Sequence, residues 1–269
     1  AMFRSGRRIA DYFLRRIKRI VPMYYVTVLA ILPLAAPVDA KSTVQHLLFL
    51  RADGHLWSVP QELLFYLLLP ILLFVIFRVF RANAYLAVAF LLAASFLLDR
   101  YFTESVFSLS GNGKQLRVYV SNFMLGVMLS FLWNRLKDRN FSSATRAVFD
   151  MAGLCCIAVI LFSAHYYRNL AASLLNMPSL GTHEFLGWEF PWLFGLLCVC
   201  LIFTTLASRG WLQRLFSATG LRLIGILGYS MYLWHPFVMA FLKTRGLDLG
   251  NALFVATTVI TFCLSCITY

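Results

Sequence analysis

The chain has 269 residues, 61% of them hydrophobic and 13% charged, with a mean hydropathy of +0.76. A soluble domain carries about 25% charged residues, so a water-soluble globular fold is excluded. The net charge of +13 suggests a nucleic-acid partner only until the charges are placed along the chain.

Apolar runs of membrane-spanning length recur throughout, about eight in all: roughly 20–37, 59–80, 84–98, 117–134, 147–163, 190–207, 223–242 and 251–269. Run 84–98 is short for a span. The pattern predicts an all-α, polytopic transmembrane helical bundle forming a single membrane domain over residues 1–269. With the N-terminus cytoplasmic and the spans alternating, basic residues gather at every inner connection, among them Arg15, Arg16, Lys18, Arg19, Arg78, Arg135, Arg139 and Arg214. Asp39, Asp53, Glu184 and Glu189 fall outside. Lys/Arg bias of this kind sets orientation. The positive charge is therefore topological, with anionic lipid or a cytoplasmic anion as partner and no nucleic acid.

Before the first run comes a basic amphipathic segment, residues 11–22. Arg15 and Arg19 share a face there, with Arg16 a third neighbour, and Pro22 suits a helix start or a kink. The segment reads either as a positive-inside anchor or as a phosphate clamp, since guanidinium forks match phosphate oxygens.

Segment Leu56–Pro70, LWSVPQELLFYLLLP, sets a carboxylate, Glu62, one turn inside an apolar helix. An ionisable group there costs at least ~2.5 kcal/mol unless it faces protein or a wet cavity. Glu62, Phe65, Tyr66 and Leu69 share one helical face, and that face is predicted to point inward. Glu62 reads as structural glue or as a group that orients a histidine, acts as a base or positions a hydroxyl. Trp57 also fits an interfacial belt.

Segment Arg117–Gly126, RVYVSNFMLG, brings an arginine to a span edge, where snorkelling explains it equally well. The outer segments 38–57, 99–116 and 164–189 contain His46, His55, His165 and His183 without metal-ligand spacing. His183, Glu184, Trp188 and Trp192 suit a sugar ring or an aromatic anchor. All six cysteines lie inside predicted spans, and even the Cys263/Cys266 pair reads as packing. No metal site, disulfide framework or permanently bound cofactor is expected.

Segment Ile224–Pro236, IGILGYSMYLWHP, places Tyr229, Tyr232 and Pro236 on one face, with Ser230 and His235 beside it. Pro236 cannot donate to the Tyr232 carbonyl, which leaves a free acceptor. At the helical rise per residue, His235 lies roughly 18 Å from the inner side and Glu62 roughly 6 Å below the outer surface. One outward-facing cavity is expected to contain both.

Taken in order, these segments resemble the acyltransferase-3 family of integral-membrane acyltransferases. LWSVPQELLFYLLLP is similar to the family's W-S-L-x-x-E-x-x-F-Y segment at Trp57, Ser58, Glu62, Phe65, Tyr66 and Pro70. FLRRIKRIVPMYY is similar to its F-x-x-R-R-x-x-R-I-x-P entry helix at Phe13, Arg15, Arg16, Arg19, Ile20 and Pro22. IGILGYSMYLWHP is similar to its late G-x-x-S-Y-x-x-Y-L-W-H segment at Gly225, Tyr229, Tyr232, Leu233, Trp234 and His235, with Gly228 where serine is usual. RVYVSNFMLG matches more loosely at Phe123 and Gly126, with Asn122 where an acid is common.

The resemblance implies about ten transmembrane helices and transfer of an acyl group, often acetyl, from cytoplasmic acyl-CoA to a hydroxyl outside. The implied acceptor is a glycan, lipid-linked sugar or small natural product, and the implied location is a bacterial plasma membrane. Arg15, Arg16 and Arg19 are then expected to bind CoA phosphates. Glu62, Tyr66, Tyr232 and His235 are expected to line the transfer cavity, and Trp57, Ser58, Arg117 and Tyr229 to contact substrate. The family's essential histidine sits on its first helix. This chain is expected to start after the second family helix, and to stop short of the closing R-x-x-E-x-P segment. Two rival classes stay open: a proton-coupled glycan or lipid transporter, and a non-catalytic membrane scaffold.

Overall fold

The computed structural model describes residues 6–31, 40–51, 54–80, 83–101, 114–163, 190–246 and 251–268, and no strand occurs among them. The helices are α1 (Gly6–Val26), α2 (Ala40–Leu47), α3 (Ser58–Val79), α4 (Ala84–Tyr101), α5 (Lys114–Leu136), α6 (Ser143–Ser163), α7 (Pro191–Ser208), α8 (Trp211–Ser217), α9 (Thr219–Thr244) and α10 (Asn251–Thr268). A π-helical turn, Thr27–Ile31, extends α1, and a 3-10 turn, Gly54–Trp57, leads into α3. Each predicted run from residue 59 onward falls on one of these helices. Helices α3, α4, α6, α7 and α9 are long and apolar enough to cross a membrane, and α10 is a shorter apolar helix. The run that looked short, 84–98, is an 18-residue helix. The chain is an all-α integral membrane protein.

The start of the first predicted span and the basic segment before it are one element, and residues 32–37 of that span lie outside the described residues. α1 runs unbroken from Gly6 through Arg15, Arg19 and Pro22 to Val26. Residues 102–113 and 164–189, with His165, His183, Glu184 and Trp188, lie outside the described residues. So do the side chains of Trp57 and Arg117, although their backbones are helical.

The chain divides into two compact units. One comprises residues 75–106 and 113–218 and is assembled through small residues, which let apolar helices approach where burial against lipid gives no driving force. A Cβ built on Gly153 of α6 would lie 2.3 Å from Leu212 Cδ2 and 3.1 Å from Thr204 Oγ1. Leu212 is fully buried and has nowhere to swing. Trp192 Nε1 donates to Ser95 Oγ at 2.9 Å, and Arg209 donates to the Lys137 carbonyl at 2.6 Å. Gly153→Ala should therefore cost about 1–3 kcal/mol by overpacking. Gly126→Ala, whose Cβ meets nothing within 4 Å, should be neutral or slightly stabilising through helix propensity. Thermal unfolding of both variants in detergent checks the contrast.

The other unit comprises residues 1–74, 107–112 and 219–269. Its core joins Ile20, Met23, Tyr24 and Val28 of α1 and the π turn to Leu56, Val59 and Leu233. The Tyr24 hydroxyl donates to the His46 carbonyl at 3.2 Å and the Tyr25 hydroxyl to the Leu47 carbonyl at 3.1 Å, fixing α1 to α2. On α3 the predicted inward face holds. Phe65 and Pro70 are buried, Glu62, Tyr66 and Leu69 are half-buried, and Leu67, Leu68 and Ile71 on the opposite side are exposed.

Candidate active site

Two prolines shape the site. A proline inside a helix leaves the carbonyl four residues earlier without its backbone donor, and an unmet carbonyl in an apolar setting is costly. Pro70 frees the carbonyl of Tyr66, and the Tyr12 hydroxyl donates to it at 3.3 Å. Pro236 frees the carbonyl of Tyr232, and His235 Nδ1 lies 2.9 Å from it. A carbonyl only accepts, so Nδ1 carries a proton in this contact. The free acceptor expected at Tyr232 is thus taken up by its neighbour.

Successive turns of α9 reach different partners in the same unit. The Tyr229 hydroxyl donates to the Ile20 carbonyl of α1 at 3.2 Å. The Tyr232 hydroxyl donates to the His55 carbonyl and accepts from Ser58 Oγ at 2.9 Å. The His235 ring lies 6.1 Å from that of His55, centroid to centroid. On α3, the Tyr66 hydroxyl donates to Glu62 Oε1 at 2.5 Å. Ser58, Glu62 and Tyr66 share a face at i, i+4 and i+8, so the segment singled out by its buried acid meets the segment singled out by its histidine through Ser58 and Tyr232.

The basic residues of α1 divide between two places. Arg15, Lys18 and Arg19 line a cavity of about 710 Å³ with Pro22, Met23, Tyr229 and Ser230. Arg16 instead lies over Tyr66, its guanidinium 4.7 Å from the ring centroid, and 5.6 Å from the ring of Tyr12. Arg15 and Arg19 thus share a face as their spacing predicts, while Arg16 serves the Glu62–Tyr66 pair and Lys18 takes the third basic place in the cavity. The cavity ends near Tyr229 and Ser230. His235 lies about 9 Å further along α9 than Tyr229 at the helical rise.

Of the other predicted residues, Ser58 bonds Tyr232 and Tyr229 lines the basic cavity. Trp57 sits on the turn just before Ser58, and Arg117 sits on α5, both with side chains outside the described residues. One residue passed over in the sequence belongs here. His55, on the 3-10 turn outside the apolar helix, packs against Tyr232 at 5.8 Å and Phe237 at 5.1 Å between ring centroids. Its Nε2 is buried with no hydrogen-bond partner among the described residues. Burial holds the imidazole down to about 4, the His235 ring pushes the same way, and a backbone hydrogen bond with Leu233 opposes them. The signal was spacing: His55, Ser58 and Glu62 stand at i, i+3 and i+7, one helical face that starts before the span does. His46, also buried, packs within the α1–α2 contact instead.

Charge, shape and partners therefore arrange a basic cavity, a carboxylate–phenol pair under a guanidinium, and a histidine-rich end in one compact unit. The chain belongs to the acyltransferase-3 family: residues 2–269 match that family's model, described as an acyltransferase domain. It is 24% identical over 204 residues to proteins named "putative O-acetyltransferase" from Staphylococcus aureus strains COL, MSSA476 and MRSA252. Those alignments cover 72% of this chain and 31% of each relative, so the chain spans about a third of their length. No solved structure matches the chain.

Proposed function

We propose that the protein is an integral-membrane O-acyltransferase that takes an acyl group, acetyl in the simplest case, from acyl-CoA. The acceptor is a hydroxyl of a glycan, a lipid-linked sugar or a small natural product on the opposite side of a bacterial plasma membrane. The observation that carries this reading is the division of labour along α9. Near Tyr229 and Ser230 the cavity is walled by Arg15, Lys18 and Arg19, three cations suited to the phosphates of CoA. Further along the same helix stand the groups that handle a hydroxyl: Tyr232 with Ser58, and His235. Membership in the acyltransferase-3 family and the names of the relatives point the same way.

In this reading the donor enters from the side on which the Lys/Arg bias lies, the cytoplasm. Arg15, Lys18 and Arg19 hold its phosphates, and the thioester end extends along α9 towards His235. The acceptor oxygen attacks the thioester carbonyl carbon. The new C–O bond forms as the C–S bond breaks, and the acceptor proton passes to a base. Glu62 supports that step electrostatically, its carboxylate fixed by Tyr66, whose ring carries the Arg16 guanidinium. Trp57, which directly precedes Ser58, is a further contact to substrate.

The test is to supply labelled acetyl-CoA to membrane vesicles holding the full-length protein. Acetyl-CoA-dependent appearance of alkali-labile label in the lipid or glycan fraction supports acyl transfer. Movement of unmodified glycan or lipid across the membrane without acyl-CoA would instead identify a transporter, and neither activity would leave a scaffold.

A further inference from the structure

We propose that the stretch of the basic cavity beyond Arg19 is a subsite for the pantetheine arm of the donor. The Ser230 hydroxyl hydrogen-bonds an amide of the arm, and Pro22, Met23 and Val26 take its apolar part. The inference rests on the O-acyltransferase reading. It adds to the phosphate contacts of that reading a second point of recognition, which neither motif spacing nor the resemblance assigns.

The cavity changes character along α1. Arg15, Lys18 and Arg19 line one stretch, and Pro22, Met23 and Val26 line the next. From Arg15 to Val26 the helix rises roughly 16 Å. Across from them, α9 contributes Ile226, Tyr229 and Ser230 within the same compact unit. A free phosphate needs only the cations. A groove whose cations give way to apolar side chains over that length fits an amphiphilic anion with its charge at one end. An acyl-CoA and a phospholipid both have that form, and Ser230 favours the first.

Ser230 is only 4% exposed, yet it lines the cavity. A serine or threonine inside a helix can donate to the carbonyl four residues back, as Thr27 and Thr204 do here. Ser230 makes no hydrogen bond among the described residues, so its hydroxyl stays available to a ligand. Thr261 and Ser265 of α10 are also unpartnered, but neither lines the cavity. The other hydroxyls of the lining have spent their protons: Tyr229 donates to the Ile20 carbonyl and Thr268 to the Leu264 carbonyl. A hydroxyl both donates and accepts, which suits an amide, and the pantetheine arm carries two amides between its phosphate and its thioester. Ser230 also stands on the right side of the cations. His235 lies roughly 7 Å further along α9, in the direction the thioester end must take.

The experiment measures equilibrium binding of two probes to the purified full-length protein: acetyl-CoA, and 3′-phospho-ADP, which carries the phosphates of CoA without the arm. Ser230→Ala should weaken acetyl-CoA about 3- to 10-fold, the scale of one hydrogen bond, and leave 3′-phospho-ADP unchanged. Val26→Trp fills the apolar stretch from an exposed position. It should weaken acetyl-CoA about 10-fold or more, again with 3′-phospho-ADP unchanged. Arg15→Gln/Arg19→Gln should weaken both probes. Equal losses for the two probes in Ser230→Ala and Val26→Trp would place these residues in the phosphate site or the fold and overturn the arm subsite. Unchanged acetyl-CoA affinity in either variant also overturns it, and loss of co-purifying phospholipid in that case would give the groove to a lipid. If the wild type binds neither probe, the donor site of the O-acyltransferase reading fails first, and the subsite falls with it.

Discussion

Reversing the charge of Arg15 and Arg19 together, as Arg15→Glu/Arg19→Glu, should raise the dissociation constant of acetyl-CoA by about 100-fold or more. Each guanidinium–phosphate hydrogen bond is worth about 1.5–3 kcal/mol, so losing two removes at least ~3 kcal/mol, which is about two decades in affinity. The introduced carboxylates then repel the same phosphates, so the loss should exceed neutral replacement by Gln. It should also shrink with added salt, since the cavity opens to solvent at exposed residues and the attraction is screened. Arg16→Gln separates the two sets of cations. Arg16 lies on Tyr66 and outside the cavity, so its loss should lower the transfer rate while leaving donor affinity nearly intact. Equilibrium binding of acetyl-CoA to the purified full-length variants reads the affinities, and the rate of ester formation reads the effect of Arg16→Gln. Unchanged affinity after charge reversal would remove the donor site from this cavity.

Glu62→Gln should reduce ester formation by about 100-fold or more at unchanged membrane levels. The substitution is chosen for what it keeps. A glutamine oxygen still accepts the Tyr66 hydroxyl, and the side-chain volume is nearly the same, so a residue serving only as interhelical glue would tolerate it with a cost below about 1 kcal/mol. What disappears is the negative charge through which Glu62 is proposed to support proton transfer. Tyr66→Phe makes the complementary change, leaving the carboxylate charged but unfixed, and should cost less than the loss of charge itself. Normal transfer by Glu62→Gln at normal protein levels would contradict the role assigned to this carboxylate.

The helices were legible because lipid-facing runs need only length and hydropathy to declare themselves, and the inward face of α3 followed from the spacing of Glu62, Phe65, Tyr66 and Leu69. Pro22 was ambiguous for a physical reason: at a helix start it fits, and inside a helix it removes one hydrogen bond, and sequence does not say which. The structure places it inside α1, which makes one helix of the anchor and the start of the first apolar run. Long-range pairings were not legible. Nothing in the spacing of Ser58 or Tyr232 says that these hydroxyls meet across 174 positions, because that pairing depends on how two helices pack. The same holds for the division of Arg15 and Arg19 from Arg16. Spacing put the first two on one face, yet only Tyr66 beneath its guanidinium shows what Arg16 does. His55 was passed over because it was weighed as a metal ligand. Continuing the helical face of Ser58 and Glu62 backward by one turn would have found it.

The central claim is that acyl groups pass from CoA bound at the Arg15–Lys18–Arg19 cavity to a hydroxyl on the opposite side of the membrane. The most direct measurement offers membrane-impermeant labelled acetyl-CoA to sealed inside-out and right-side-out vesicles containing the full-length protein. The account predicts alkali-labile ester in the inside-out vesicles alone, on acceptors shielded from externally added esterase and lost in Glu62→Gln. Ester formed only by right-side-out vesicles, or no ester in either, would contradict it.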